Sequence, residues 1–233
     1  VEFSLVPLLA SLTADNLWAL VDAEDVRDCV GPELIGHVIA ANTPLLAWVS
    51  LMRGLLLRSA AIVKMPSSPS ASWAILFRKT LAVVSPRLSE SVSLLQWTGG
   101  TDDLDTRLCR SVDALVAYGS NNTIYRLRQL CSQDTVFVGY GHRVSFGLVL
   151  AGAELKSAAA GLARDIVLYD QGGCLSPHTI FVEGSFSAAK MFGTYLATAL
   201  AHMSQQYPQR ARGATAAAQV RDARALARMG EGA

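Results

Sequence analysis

Cys174 has the neighbours that covalent chemistry asks for. It stands in the segment 168–177, LYDQGGCLSP, after a helical pattern and ahead of β-forming residues at 179–182. Glycines let backbone N–H groups approach a reacting atom closely. A thiol in such a turn acts as a nucleophile when its thiolate is stabilised. By itself a lone cysteine is more often a small core residue, so the rest of the chain decides. Asn42, Lys64, Gly99, Gly100, Gly119 and Ser120 form a second group. Each falls at or just after the carboxyl end of a segment that reads as a strand. Glycine and asparagine at one such place simply make a turn. Several together with a lysine point to a nucleotide site, because ligands of parallel sheets bind beyond the carboxyl ends of the strands.

The elements that must position these residues follow from pattern. Residues 3–28 read as one or two helices, with Asp15 as an N-cap for the segment through Val21. A buried strand covers 37–41 and ends at Asn42. Pro44 suits the first turn of a helix over 45–57. A second strand, 59–65, carries Lys64 near its end and is stopped by Pro66 and serines. A helix over 71–83, a strand over 92–97, a short helix over 102–110, a strand over 114–118, a helix over 123–131 and a strand over 135–138 follow. Alternation at crossover spacing predicts an α/β chain with a doubly wound, mostly parallel sheet. A long helix over 154–169 delivers Cys174. A strand over 178–183 and a helix over 185–206 with Ser185 as N-cap come after it. The tail, 209–233, is rich in Ala and Arg, and its periodicity does not choose between helix and irregular chain.

Composition sets bounds. The 233 residues are 51% hydrophobic and 17% charged, with a formal net charge of +1. That is a globular composition, with no basic stripe or aromatic–basic interleaving for nucleic acid. The most apolar run, 45–63, is broken by Arg53 and Arg58 and does not read as a membrane span. The four cysteines, Cys29, Cys109, Cys131 and Cys174, lack metal-ligand spacing and any secreted disulfide pattern. A reducing cytoplasm is the expected compartment. Cys29, Cys109 and Cys131 read as packing residues, His142 and Arg143 as turn residues, and His178 as a strand-face residue.

With those residues in place, the chain resembles the aldehyde dehydrogenase superfamily, and within it the acyl-CoA reductases of the bacterial-luminescence fatty acid reductase family. The carriers are NTP at 42–44, IVKMPS at 62–67, the Gly119-Ser120 turn, and AEL at 153–155 leading to YDQGGC at 169–174. The resemblance runs over residues 36–207. Each motif is weakly specific, and their order together with GGCLSP makes the set more so. It implies a Rossmann-like nicotinamide-binding domain over 1–150 and the start of a cysteine-bearing α/β catalytic domain over 151–233. It also implies that Cys174 attacks an activated long-chain acyl group, carried by coenzyme A or another acyl carrier. The resulting thioester is reduced to an aldehyde. By the same resemblance, the Asn42 amide and the Cys174 backbone N–H hold the carbonyl oxygen. Losing one such donor typically costs on the order of 10²–10³ in rate.

Two departures from the superfamily pattern matter. Hydrolytic members carry a glutamate where this chain has VFVGYGH at 136–142, without a carboxylate. A thioester lacking a general base hydrolyses slowly, which favours reduction or transfer to a thiol. NAD-using members often carry a glutamate three residues after the strand lysine, and here that position is Ser67. A glutamate would repel a ribose 2′-phosphate, whereas Lys64 could pair with one. NADPH is therefore the expected cofactor, and no metal is expected. The family's later glutamate motif has no counterpart, so the chain reads as partial. The alternatives are reduction of another activated acyl group, such as an acyl phosphate, or an inactive remnant that binds only nucleotide or a partner subunit. Homo-oligomers and acyl-transfer partner subunits are both compatible with the sequence.

Overall fold

The computed structural model describes residues 13–24, 30–43, 45–209, 218, 221, 222 and 225. The chain divides into two compact units, Val1–Arg143 and Val144–Ala233. In the first, helix α1 (Ala14–Glu24) precedes β1 (Leu34–Val38), α2 (Leu46–Leu56), β2 (Ala60–Met65), α3 (Ala71–Val84), α4 (Pro86–Glu90) and β3 (Val92–Gln96). Helix α5 (Asp102–Ser111), β4 (Ala114–Tyr118), α6 (Asn121–Leu130) and β5 (Val136–Tyr140) complete it. The five strands are parallel, in the order β3-β2-β1-β4-β5.

Strand β2 shows why helices lie on both faces. Its alternate residues Ala61, Val63 and Met65 pack with Ala47 and Leu51 of α2 and with Ala74 and Phe77 of α3. Ile62 points the other way, toward Leu108 and Cys109 of α5 and Leu127 of α6. A strand buried on both faces reads as continuous apolar sequence, which is what AAIVKM is. Strand β1 needs a glycine for the same packing. A Cβ on Gly36 would stand 2.7 Å from Leu115 Cδ1 and 3.3 Å from Val112 Cγ1.

His37, also on β1, is 1% exposed. Its Nδ1 lies 2.7 Å from Ser50 Oγ on α2, while Nε2 has no hydrogen-bond partner among the described residues. Burial pushes its pKa down to about 4, so the ring is neutral near pH 7.

In the second unit, β6 (Ser145–Val149) pairs in parallel with β7 (Pro177–Val182). The crossover between them is α7 (Leu155–Val167) followed by a 3₁₀ turn, Leu168–Gln171. Helix α8 (Phe186–Gln206) closes the unit over a core of Val149, Ala159 and Phe192. Ser185 caps α8, its hydroxyl accepting from Ala188 N–H at 3.2 Å.

Several boundaries differ from expectation. Strand β1 starts three residues earlier than position 37 and ends at Val38, so Asn42 lies in a bend beyond it rather than at its last residue. Asp15 sits inside the first turn of α1, where its charge suits the helix dipole. The Thr13 hydroxyl accepts from Asn16 N–H instead. Helix α4 and strand β6 were not anticipated. Cys29, Pro44 and most of the tail lie outside the described residues. Among the described residues, no helix is long and apolar enough to cross a membrane.

Candidate active site

The nucleophile candidate is held by backbone geometry. Asp170 and Gln171 have φ of 54° and 61°. Two successive non-glycine residues in the left-handed region are unusual, although Asp tolerates it better than most. The left-handed conformation falls on these two residues and not on Gly172 or Gly173. The chain then makes a four-residue turn, closed by Ser176 N–H donating to Gly173 C=O at 3.1 Å. Cys174 is the second residue of that turn and is exposed. Its carbonyl accepts from the Ser145 hydroxyl at 2.5 Å. Ser145 therefore fixes the peptide after Cys174 from the start of β6, a contact that spans 29 residues and leaves no local signature.

The other described cysteines are unlike it. Cys109 is buried, and burial, together with the adjacent Cys131 thiol, pushes its pKa up to about 12. Burial also raises that of Cys131. Thiols held protonated in apolar surroundings are poor nucleophiles, so their role is packing. His178 lies exposed on β7, and His142 lies exposed in the turn after β5, where its N–H donates to Asn121 Oδ1 at 2.8 Å.

The nucleotide candidates gather at the carboxyl edge of the five-stranded sheet. Lys64 is in register with Val38 of β1 and Leu95 of β3. It is 9% exposed. Among the described residues its ammonium makes no hydrogen bond or ion pair. Burial lowers its pKa, Asp105 opposes that shift, and Arg126 adds to it. Gly99 is its neighbour: a Cβ there would stand 3.8 Å from Lys64 Nζ. Gly100 has φ +89°, which a side chain would strain. Gly119 ends β4 and packs against Thr123, leaving only 3.2 Å for a Cβ. Ser120 caps α6 by accepting from Thr123 N–H at 3.2 Å, so its side chain orders the turn. Ser67 is exposed, three residues past Lys64. Gln96 Nε2 donates to Pro66 C=O at 2.8 Å and ties that segment to β3.

Asp105 was not foreseen. Its carboxylate is buried and accepts from Trp97 Nε1 at 2.7 Å, from Gly100 N–H at 3.3 Å, and from Arg126. Burial alone would raise its pKa, but the hydrogen bonds from Arg126 and Trp97 bring it below the ordinary carboxylate value. Arg126 also reaches Asp102 at 3.0 Å. One signal in the sequence pointed this way: Asp105, Leu108 and Cys109 share a helix face by their i, i+3, i+4 spacing.

A lysine near the carboxyl end of its strand with no hydrogen bond or ion pair among the described residues, glycine turns and a capped helix start suit the phosphates of a nucleotide, because exposed backbone N–H groups and a fixed cation are what such groups need. The acyl-CoA reductase (LuxC) family model matches residues 19–232, a stretch that includes both Lys64 and Cys174. The chain belongs to that family. Curated relatives include the long-chain acyl-protein thioester reductase of Vibrio harveyi, 32% identical over 150 residues. That of Photorhabdus luminescens is 28% identical over 152 residues. These stretches cover 64% of this chain and 31% and 32% of the relatives, so the chain spans about a third of the length of the relatives it matches. Solved aldehyde dehydrogenases share the fold. The indole-3-acetaldehyde dehydrogenase AldA of P. syringae superposes with a TM-score of 0.62 at 21% identity, covering 74% of this chain and 34% of that one. KauB of Pseudomonas aeruginosa gives 0.60 at 25%, covering 73% and 34%. The α/β architecture with its parallel central sheet is thus the aldehyde dehydrogenase one.

Proposed function

We propose that this chain carries the nucleotide-binding and cysteine-bearing parts of an NADPH-dependent reductase that converts a long-chain acyl thioester to an aldehyde. The observation that carries this reading is that Cys174 is exposed in an ordered turn, whereas Cys109 is buried and Cys131 partly so, both with raised pKa values. The first unit takes the nucleotide and the second the acyl group. Lys64 and the Gly99-Gly100 turn receive the adenosine ribose and its phosphate, with Ser67 leaving room where a carboxylate would repel them. Gly119 and Ser120 present the start of α6. When bound, the reduced nicotinamide supplies hydride. The Cys174 sulfur attacks the acyl carbonyl and expels the carrier thiol. The thioester carbon gains hydride, its bond to sulfur breaks, and the aldehyde leaves with Cys174 again a thiolate. We assign the Cys174 N–H to the carbonyl oxygen as its charge develops.

The donor is a thioester, on coenzyme A as the family name has it or on a protein as the relatives' names have it. Incubation of the full-length protein with long-chain acyl-CoA and with acyl-protein thioester, followed by peptide mass spectrometry, tests the reading. One acyl mass on the Cys174 peptide is expected from the true donor. Labelling of Cys29, Cys109 or Cys131, or of no cysteine by either donor, would refute it.

A further inference from the structure

Lys64 and Asp105 are both buried and feel each other's charge, yet they form no ion pair. The reason is Arg126. It takes Asp105 with one guanidinium nitrogen and Asp102 with the other. Trp97 and Gly100 fill two more of the positions at which the Asp105 carboxylate accepts. A carboxylate has about four such positions, so little is left for the lysine. Two cations thus stand near one buried anion, and the anion is committed to the arginine.

We propose that Arg126 is a specificity-determining positioning residue. By engaging Asp105 it keeps the Lys64 ammonium un-neutralised and available to a phosphate on the adenosine ribose. The proposal rests on the reading above, in which Lys64 meets the 2′-phosphate. Without Arg126 the buried carboxylate would have only two neutral donors, and a buried charge lacking its partner is strongly destabilising. Lys64 is the cation at hand to replace it. Once neutralised by Asp105, Lys64 would attract a phosphate far less, while a nucleotide without the 2′-phosphate would lose little.

The test is calorimetric titration of the full 233-residue chain with adenosine 2′,5′-bisphosphate and with adenosine 5′-monophosphate, which differ only in the 2′-phosphate. Wild type should prefer the bisphosphate. Arg126→Gln should reduce that preference roughly tenfold or more, the size expected for one charge-assisted contact. Removing Asp105 as well, in Asp105→Asn/Arg126→Gln, should restore it, because no carboxylate remains to neutralise Lys64. Asp105→Asn alone should keep or raise it, which also covers the case in which Arg126→Gln fails to fold. A residue that merely braces the loop would give the opposite pattern, with the double variant at least as impaired as the single. That result, or an unchanged preference in Arg126→Gln, overturns the proposal and leaves the cofactor reading standing. A wild type with no preference overturns the 2′-phosphate reading itself, and the role of Arg126 with it.

Discussion

The neutral histidine inside the sheet makes stability fall in mild acid. His37 is 1% exposed, and its pKa lies at about 4, against 6.5 for the free group. Between those values the unfolded chain binds a proton that the folded chain refuses. Stability therefore rises with pH across that window and is lost as pH falls from 6.5 toward 4. Above 6.5 the ring is neutral in both states and contributes no slope. A tenfold ratio is worth about 1.4 kcal/mol, so the full interval amounts to about 3.5 kcal/mol, and about 2 kcal/mol of it is gone by about pH 5. That is a large part of the ~5–15 kcal/mol by which domains are stable. His37→Leu removes the titrating group and keeps an apolar side chain against α2. Ser50 then loses its partner, and its hydroxyl can turn back to a helix carbonyl. Urea unfolding followed by circular dichroism, for both proteins at about pH 7.5 and about pH 5, isolates the effect because other titrating groups cancel in the difference. The wild type should lose about 2 kcal/mol more than the variant between the two pH values. A difference between wild type and variant that does not change with pH would show that His37 is protonated in the fold or already open to water.

Other outcomes follow from the site. Cys174→Ser should abolish aldehyde formation while nucleotide titration is unchanged, since an ester is a poorer hydride acceptor than a thioester. Loss of nucleotide binding as well would point to misfolding instead. Because residues 136–142 hold no carboxylate, an acylated enzyme deprived of nicotinamide should persist, and rapid release of free fatty acid would reveal a base elsewhere. If the proposed preference for NADPH holds, Ser67→Glu should reverse it by charge repulsion, as read by fluorescence titration of NADPH and NADH. Ser145→Ala frees the Cys174 carbonyl and should slow acylation of Cys174 by about tenfold, the scale of one lost hydrogen bond to a strained turn. Ser145→Thr should recover most of the rate, and equal acylation rates in all three would remove Ser145 from the site.

Much of the fold was readable because its strands are short apolar runs between turn residues. Strand β4 has the boundaries that ALVAY suggests, and the Ser185 cap is where a serine before an apolar helix belongs. Strand β6 was missed for a physical reason. Its middle residue, Gly147, breaks the β-forming pattern of Phe146 and Leu148. It is a glycine because a Cβ there would lie 2.8 Å from Leu162 on the crossover helix. Packing between elements chose the residue, and local preference could not report it. Helix α4 holds only five residues, too few to show a period.

The site divides along the same line. The positions of Lys64, Gly99 and Gly119 at or just beyond strand ends were legible, because turn residues after short apolar runs mark where strands of a parallel sheet stop. Asp105, Arg126 and Trp97 were not, because their meaning lies in contacts across 8 and 21 residues. A sequence shows that a lysine ends a strand, and it cannot show whether a carboxylate has already claimed that lysine. Three acids open α5, at positions 102, 103 and 105. All three look like the acidic first turn that a helix dipole favours. Only the fold separates the exposed Asp102 from the buried Asp105, and the proposed influence on Lys64 belongs to the buried one. Attraction at a surface pair is screened by water and salt. At Lys64, a residue 9% exposed, it is screened less, and that is the physical ground for proposing that Arg126, without touching the ligand, tunes the response to one phosphate.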